Sequence, residues 1–127
     1  MNGDDDMAKK KKTAAKELQE LVTDCAERYA RWTKLRTNGG SDPYWSDGCN
    51  LNLVRNHIKY AKNRIKEHCA KHNLVIPAIY YRPMPPEMAN DFYVVTGKHY
   101  QRRMELKRRI DGTAKAEAED TVQLSLF

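Results

Sequence analysis

Asn50-Leu51-Asn52-Leu53-Val54-Arg55-Asn56-His57-Ile58-Lys59-Tyr60-Ala61-Lys62-Asn63-Arg64-Ile65-Lys66-Glu67-His68-Cys69-Ala70-Lys71-His72 carries the strongest pattern in the chain. Leu51, Val54, Ile58, Ala61, Ile65 and then His68 or Cys69 recur every three or four residues. That spacing is one stripe of a helix, close to a heptad seam. Arg55, Lys59, Lys62, Arg64, Lys66 and Lys71 lie mostly off the stripe, as expected of a solvated face. The pattern predicts a helix over residues 50–72. Asn50 or Asp47 is placed to cap it, because a short polar side chain can accept from the first free amides.

Upstream, Leu18, Leu21, Val22, Cys25, Tyr29 and Trp32 form a second stripe at the same spacing. A helix over about 13–36 follows, with Thr13, Lys16 and Glu17 at its start. Asn38-Gly39-Gly40 ends it, since Asn and Gly accept the left-handed conformation that closes a helix. Two such helices joined by a loop near a dozen residues long make an antiparallel hairpin, stripe against stripe. Within the loop, Tyr44 and Trp45 stand side by side. Two rings there either plug the end of the hairpin or remain exposed as a stacking or partner surface.

Downstream, Leu74 to Tyr81 is apolar and β-branched, and Arg82-Pro83-Met84-Pro85-Pro86 forbids helix. An extended segment running back across the hairpin is expected, with Ile76, Ile79, Tyr80 and Met84 as packing residues. Pro86-Glu87-Met88 can open a short helix over 88–95, or that stretch stays extended. A last helix over about 98–110 has Tyr100, Met104, Leu106 and Ile110 on its apolar side. Lys98, Arg102, Arg103, Lys107, Arg108 and Arg109 oppose the single Glu105. These six cations are the candidate nucleic-acid contacts; the alternative is a merely solvated surface helix.

The fold class expected is therefore all-α. A long antiparallel helical hairpin and a short basic C-terminal helix occupy residues 13–110. A disordered charged arm over 1–12 precedes them, and a flexible linker over 111–122 follows. The 127 residues suit one domain plus tails. With 23 Lys and Arg against 17 Asp and Glu, the net charge of +6 favours anionic partners, nucleic acid above all. No apolar run approaches the roughly 20 residues of a membrane helix. The acidic first six residues lack a signal-peptide core, and three cysteines suit reduced thiols, so a cytoplasmic protein is expected.

Chemistry-bearing motifs are sparse. There is no glycine-rich phosphate loop, no paired-carboxylate motif and no recognised nucleophile setting, so no enzymatic activity and no cofactor are expected. His68 and His72 lie one turn apart around Cys69. A structural zinc needs four ligands, so Cys49 or Cys25 would have to join them, and there is no Cys-x-x-Cys. The ordinary reading is two histidines ending a helix, with Cys25 and Cys69 as small core residues; no metal is expected.

The chain closes on Gln123-Leu124-Ser125-Leu126-Phe127 after a polar stretch. Large apolar side chains are each worth about 1.5–3 kcal/mol when buried, so leaving them in water calls for a reason. One reading is a short edge strand that folds back; the other is a peptide hook for a pocket on another protein. The pentapeptide resembles the bacterial sliding-clamp-binding motif, Gln-Leu-Ser/Asp-Leu-Phe. The resemblance implies that Gln123 is the polar anchor, Leu126 and Phe127 the pocket pair, Leu124 a secondary contact and Ser125 a spacer. Its implied partner is the DNA polymerase sliding clamp. Residues 42–53 also resemble small proteins of bacterial phages and mobile elements, which implies no activity. Three functions fit: a clamp-docking adaptor or modulator whose basic domain contacts DNA or a replication partner, a basic nucleic-acid-binding protein with an incidental tail, or an inhibitor of a nucleoprotein defence enzyme.

Overall fold

A computed structural model describes the backbone of residues 2–125 and the side chains of residues 13–113. Three α-helices and one 3-10 turn make up the fold: α1 (Asn2–Asn38), α2 (Asp47–His72), the turn Ala78–Tyr81, and α3 (Tyr100–Ser125). No strand occurs among the described residues, as the all-α reading expects. None of the described helices is long and apolar enough to cross a membrane.

α1 and α2 form the hairpin. Ala14, about a third of the way along α1, meets His68 near the far end of α2, and Gly40 after α1 meets Asp47 at the start of α2. The two stripes face each other as their spacing requires. Cys25, Tyr29, Ile58, Ala61, Ile65 and Cys69 are buried together, with Leu18, Leu21, Val22 and Trp32 packed against them. Leu51 and Val54 extend the buried stripe of α2 toward the loop.

The helix ends are settled by local chemistry. Gly39 takes the left-handed conformation (φ +71°), and its amide bonds Leu35 O at 2.8 Å, closing α1. The loop is shorter than expected, residues 39–46. Ser46, and neither Asn50 nor Asp47, caps α2: its hydroxyl accepts from Cys49 N at 3.1 Å. Asn73, at φ 54°, ends α2 with its amide on Cys69 O.

Helical backbone runs past both expected limits, from Asn2 in α1 and to Ser125 in α3. Lys9–Lys12 and the Ala/Glu/Lys-rich stretch after Thr113 are polar, but Ala, Glu and Lys are also strong helix formers.

Residues 73–99 form a strap that returns along the hairpin antiparallel to α2. Leu74, Ile76, Ile79 and Met84 close the core, while Tyr80 is half-buried and edge-on to Tyr81. Tyr29 Oη lies within hydrogen-bond distance of Arg82 O and Pro83 O, and Lys62 Nζ donates to Arg82 O. Arg82 and Lys62 also sit over the Tyr29 ring, 4.1 and 5.4 Å from its centroid. Lys62 is therefore buried, although its place off the stripe suggested solvent. Farther along, Arg55 Nε donates to Pro85 O at 2.8 Å. The Asn52 amide both donates to Met88 O and accepts from Met88 N, each at 2.8 Å.

That last pair explains why residues 88–95 do not form the short helix that Pro86 permits. Met88 has its backbone groups satisfied by Asn52, and Gly48 N donates to Phe92 O at 2.9 Å. The segment is held irregular against the first turns of α2, which leaves no helical partners to gain.

Candidate functional site

Asp47 organises the loop end of the hairpin. It is fully buried in the first turn of α2. Its carboxylate accepts from Gly40 N at 2.9 Å, Val94 N at 2.8 Å and Arg103 Nη2 at 2.5 Å. The loop, the strap and α3 are thus gathered on one side chain. Burial alone raises the Asp47 carboxyl, but the Arg103 guanidinium and the two amides outweigh it and hold the group below the usual carboxylate range. Arg103 is only 1% exposed, and its ring-side neighbour is Tyr93, 5.3 Å from ring centroid to guanidinium.

Beside this lock, on the side of Gly40, lies an open cleft of about 420 Å³. α1 contributes Arg31, Lys34 and Asn38, α2 contributes Asn50 and His57, and His99 comes from just before α3. Asp42 also lines it. His57 Nδ1 is buried and has no hydrogen-bond partner among the described residues. Two permanent cations, two imidazoles and two amides converge here against one carboxylate, which suits an anion with several acceptor oxygens.

Trp45 borders a smaller hollow that adjoins the same cleft, and Asn50 and Leu53 line both. Tyr44 and Trp45 are 73% and 63% exposed, so they do not plug the hairpin. The cause is local. Asp42 Oδ1 accepts from Tyr44 N and Trp45 N at 2.9 and 3.2 Å, and Asn50 Nδ2 donates to its other oxygen. This turn is satisfied by its own backbone and side chains, and the core beneath is filled by α1, α2 and the strap. Burial raises the Asp42 carboxyl, but the Tyr44 and Trp45 amides, Asn50 and the Arg103 charge together keep it low.

Of the six cations expected to meet nucleic acid, Lys98, Arg102, Lys107, Arg108 and Arg109 are exposed. Arg103 is a correction: it is inside, spent on Asp47, and out of reach of any phosphate. Arg31 and Lys34 read only as part of the polar face of α1, and His57 and His99 only as histidines to weigh as metal ligands, so the sequence did not join the four into one site. The only signal was Arg31 and Lys34 three residues apart on the polar side of α1. In the pentapeptide, Gln123 and Leu124 lie on the helical backbone of α3, with side chains outside the described residues; Leu126 and Phe127 lie outside them altogether.

All three cysteines are free thiols, with Cys25 and Cys69 in the same buried cluster. Cys25 and Cys69 are buried, and burial pushes both thiols up. The Cys69 thiol faces Val75 O at 3.7 Å and does not join His68 and His72. Those two histidines instead gather with Glu17 of α1.

No protein-family model matches the chain, and neither a curated protein nor a solved structure matches it.

Proposed function

We propose that this protein is a non-enzymatic adaptor or modulator that docks on the bacterial DNA sliding clamp through Gln123, Leu124, Leu126 and Phe127. Its body holds a nucleic-acid strand or a replication partner beside the clamp. The observation that carries the docking half is the pentapeptide itself, which matches the clamp-binding pattern at every position. A supporting observation is that the core of the body is closed by Leu74, Ile76, Ile79 and Met84, with its apolar stripes already matched.

For the body, support comes from basic side chains beside exposed rings. Arg31 and Lys34 line a cleft that adjoins Trp45, and Arg102 is exposed one turn into α3, past His99. Cations tracking phosphates and rings stacking on bases are the two components of single-strand binding. Lys98, Arg102, Lys107, Arg108 and Arg109 extend the positive surface, with Arg103 removed from the set. A short linear peptide binds weakly alone, and a second contact on the same nucleoprotein adds about 10²-fold or more in avidity.

Calorimetry of the full chain against purified clamp, beside a version lacking residues 123–127, tests the docking half. Binding by the full chain and none by the shortened one is expected; equal binding by both refutes it. The second reading, a nucleic-acid-binding protein with an incidental tail, is favoured by the same cleft and rings. It predicts salt-dependent strand binding that survives tail removal, with no clamp affinity in either version.

A further inference from the structure

We propose that Glu17, His68 and His72 bind a divalent transition-metal ion that staples the open end of the hairpin. This site is separate from the cleft and from the pentapeptide, and it does not depend on the functional reading of either.

The three residues come from both helices. Glu17 is on α1, and His68 and His72 are one turn apart on α2. One ligand atom from each lies within 4.8 Å of the other two. His68 Nδ1 is 3.8 Å from Glu17 Oε2, too long for a hydrogen bond. Two ligands about 2.0–2.1 Å from a zinc ion at the tetrahedral angle stand about 3.4 Å apart, so the His68–Glu17 separation is within about 0.4 Å of ligand spacing.

The tautomer of His68 supports the assignment. His68 Nε2 lies 2.7 Å from Ala14 O. A carbonyl only accepts, so Nε2 carries the proton. In the neutral ring the lone pair is then on Nδ1, the nitrogen that faces Glu17. A ligating imidazole held through its other nitrogen by a backbone carbonyl is the usual outer arrangement of a metal-binding histidine. The His68 and His72 rings are 4.5 Å apart, tilted by 51°. His72 and Glu17 are exposed, so the ion has an entry path and room for water or a partner group as a fourth ligand.

Two imidazoles and one carboxylate select zinc, copper or nickel over magnesium or calcium, which prefer all-oxygen shells. Bound there, the ion would tie Glu17 to the last turns of α2. It would act as a cross-link between α1 and the C-terminal end of α2, the end of α2 that lies farthest from the Asp47 lock.

The test is titration of Zn²⁺ into the untagged, full-length protein at neutral pH, read by calorimetry and by melting temperature. One saturable site per chain and a rise in melting temperature are expected. His72→Ala and Glu17→Gln should each lower affinity at least about tenfold. Neither should change the melting temperature without metal, because both side chains are exposed. Co²⁺ replaces Zn²⁺ as the spectroscopic probe, and its spectrum should lack thiolate charge transfer. Absence of saturable binding, unchanged affinity in both variants, or a thiolate band from the cysteines overturns the proposal.

Discussion

Arg103 Nη2 lies 2.5 Å from Asp47 Oδ1, across 56 positions of sequence, and neither side chain reaches solvent. Arg103 Nε and Nη1 are buried without partners among the described residues. The pair therefore carries the full desolvation cost of two charges while satisfying only one side fully. The contact ties α3 to the first turn of α2 across that sequence separation.

Removing one partner should be severe. Arg103→Met or Asp47→Asn should cost about 3–5 kcal/mol of unfolding free energy, because each leaves a buried polar group uncompensated. The double variant should lose less than the sum of the two. Urea denaturation of the four proteins measures the coupling, and strict additivity would show that the contact is energetically idle.

Acid should weaken this lock in a definite direction. The folded Asp47 carboxyl sits below its unfolded value of about 3.9. Between the two values the unfolded chain binds more protons, so stability rises with pH there. The contribution is complete above the unfolded value and disappears as pH falls through the folded one. Urea midpoints followed from neutral pH down to about pH 3 should drop more steeply for the native protein than for Asp47→Asn.

Gly48 should tolerate no side chain. A Cβ placed there would stand 1.8 Å from Ala89 O, a backbone atom with no flexible end to move. Gly48→Ala should detach residues 88–94 from α2. The check is amide hydrogen exchange: the Gly48 and Val94 amides, bonded to Phe92 O and Asp47, should lose protection in the variant.

Tyr44 and Trp45 should matter to binding far more than to folding. Replacing both with Ala should change stability by no more than about 0.5 kcal/mol per site, as at ordinary surface positions. If they stack on bases, the same change weakens single-stranded DNA binding by about 1–3 kcal/mol per lost stack. Fluorescence anisotropy at fixed salt decides it, and unchanged affinity removes the rings from the interface.

Thiol reactivity should be uneven. Cys49 is half-buried, whereas Cys25 and Cys69 are buried with their thiols pushed up. A thiol reagent should label one cysteine quickly in the native protein and three after denaturation. Mass spectrometry of the fast product should place the label on Cys49.

Much of the hairpin was readable in advance. Every position of the α1 stripe from Leu18 to Trp32 packs on the core, and so does the α2 stripe through Cys69. The return path of the strap was readable too, because proline at 77, 83, 85 and 86 excludes a continuous α-helix, although the 3-10 turn at Ala78–Tyr81 was not expected. The cleft was not readable. Arg31, Lys34, His57 and His99 come from separate elements, and nothing in their spacing links them. Two cations were misplaced for the same reason: Lys62 and Arg103 look like surface residues in any local window.

The sequence by itself determined which faces of α1 and α2 meet, that Asn38-Gly39 and Asn73 close those helices, and that residues 82–86 form no helix; the 3-10 turn at Ala78–Tyr81 interrupts the extended run that the apolar, β-branched stretch suggested. Burial repeats with the helical period, and glycine, asparagine and proline act on their own backbone, so both signals are local. Only the tertiary structure decided that Arg103 and Lys62 go inside and that Tyr44 and Trp45 stay out. A buried cation is tolerated only where an acceptor reaches it, and Asp47 and Arg82 O arrive from distant parts of the chain. No residue pattern around Arg103 records that meeting.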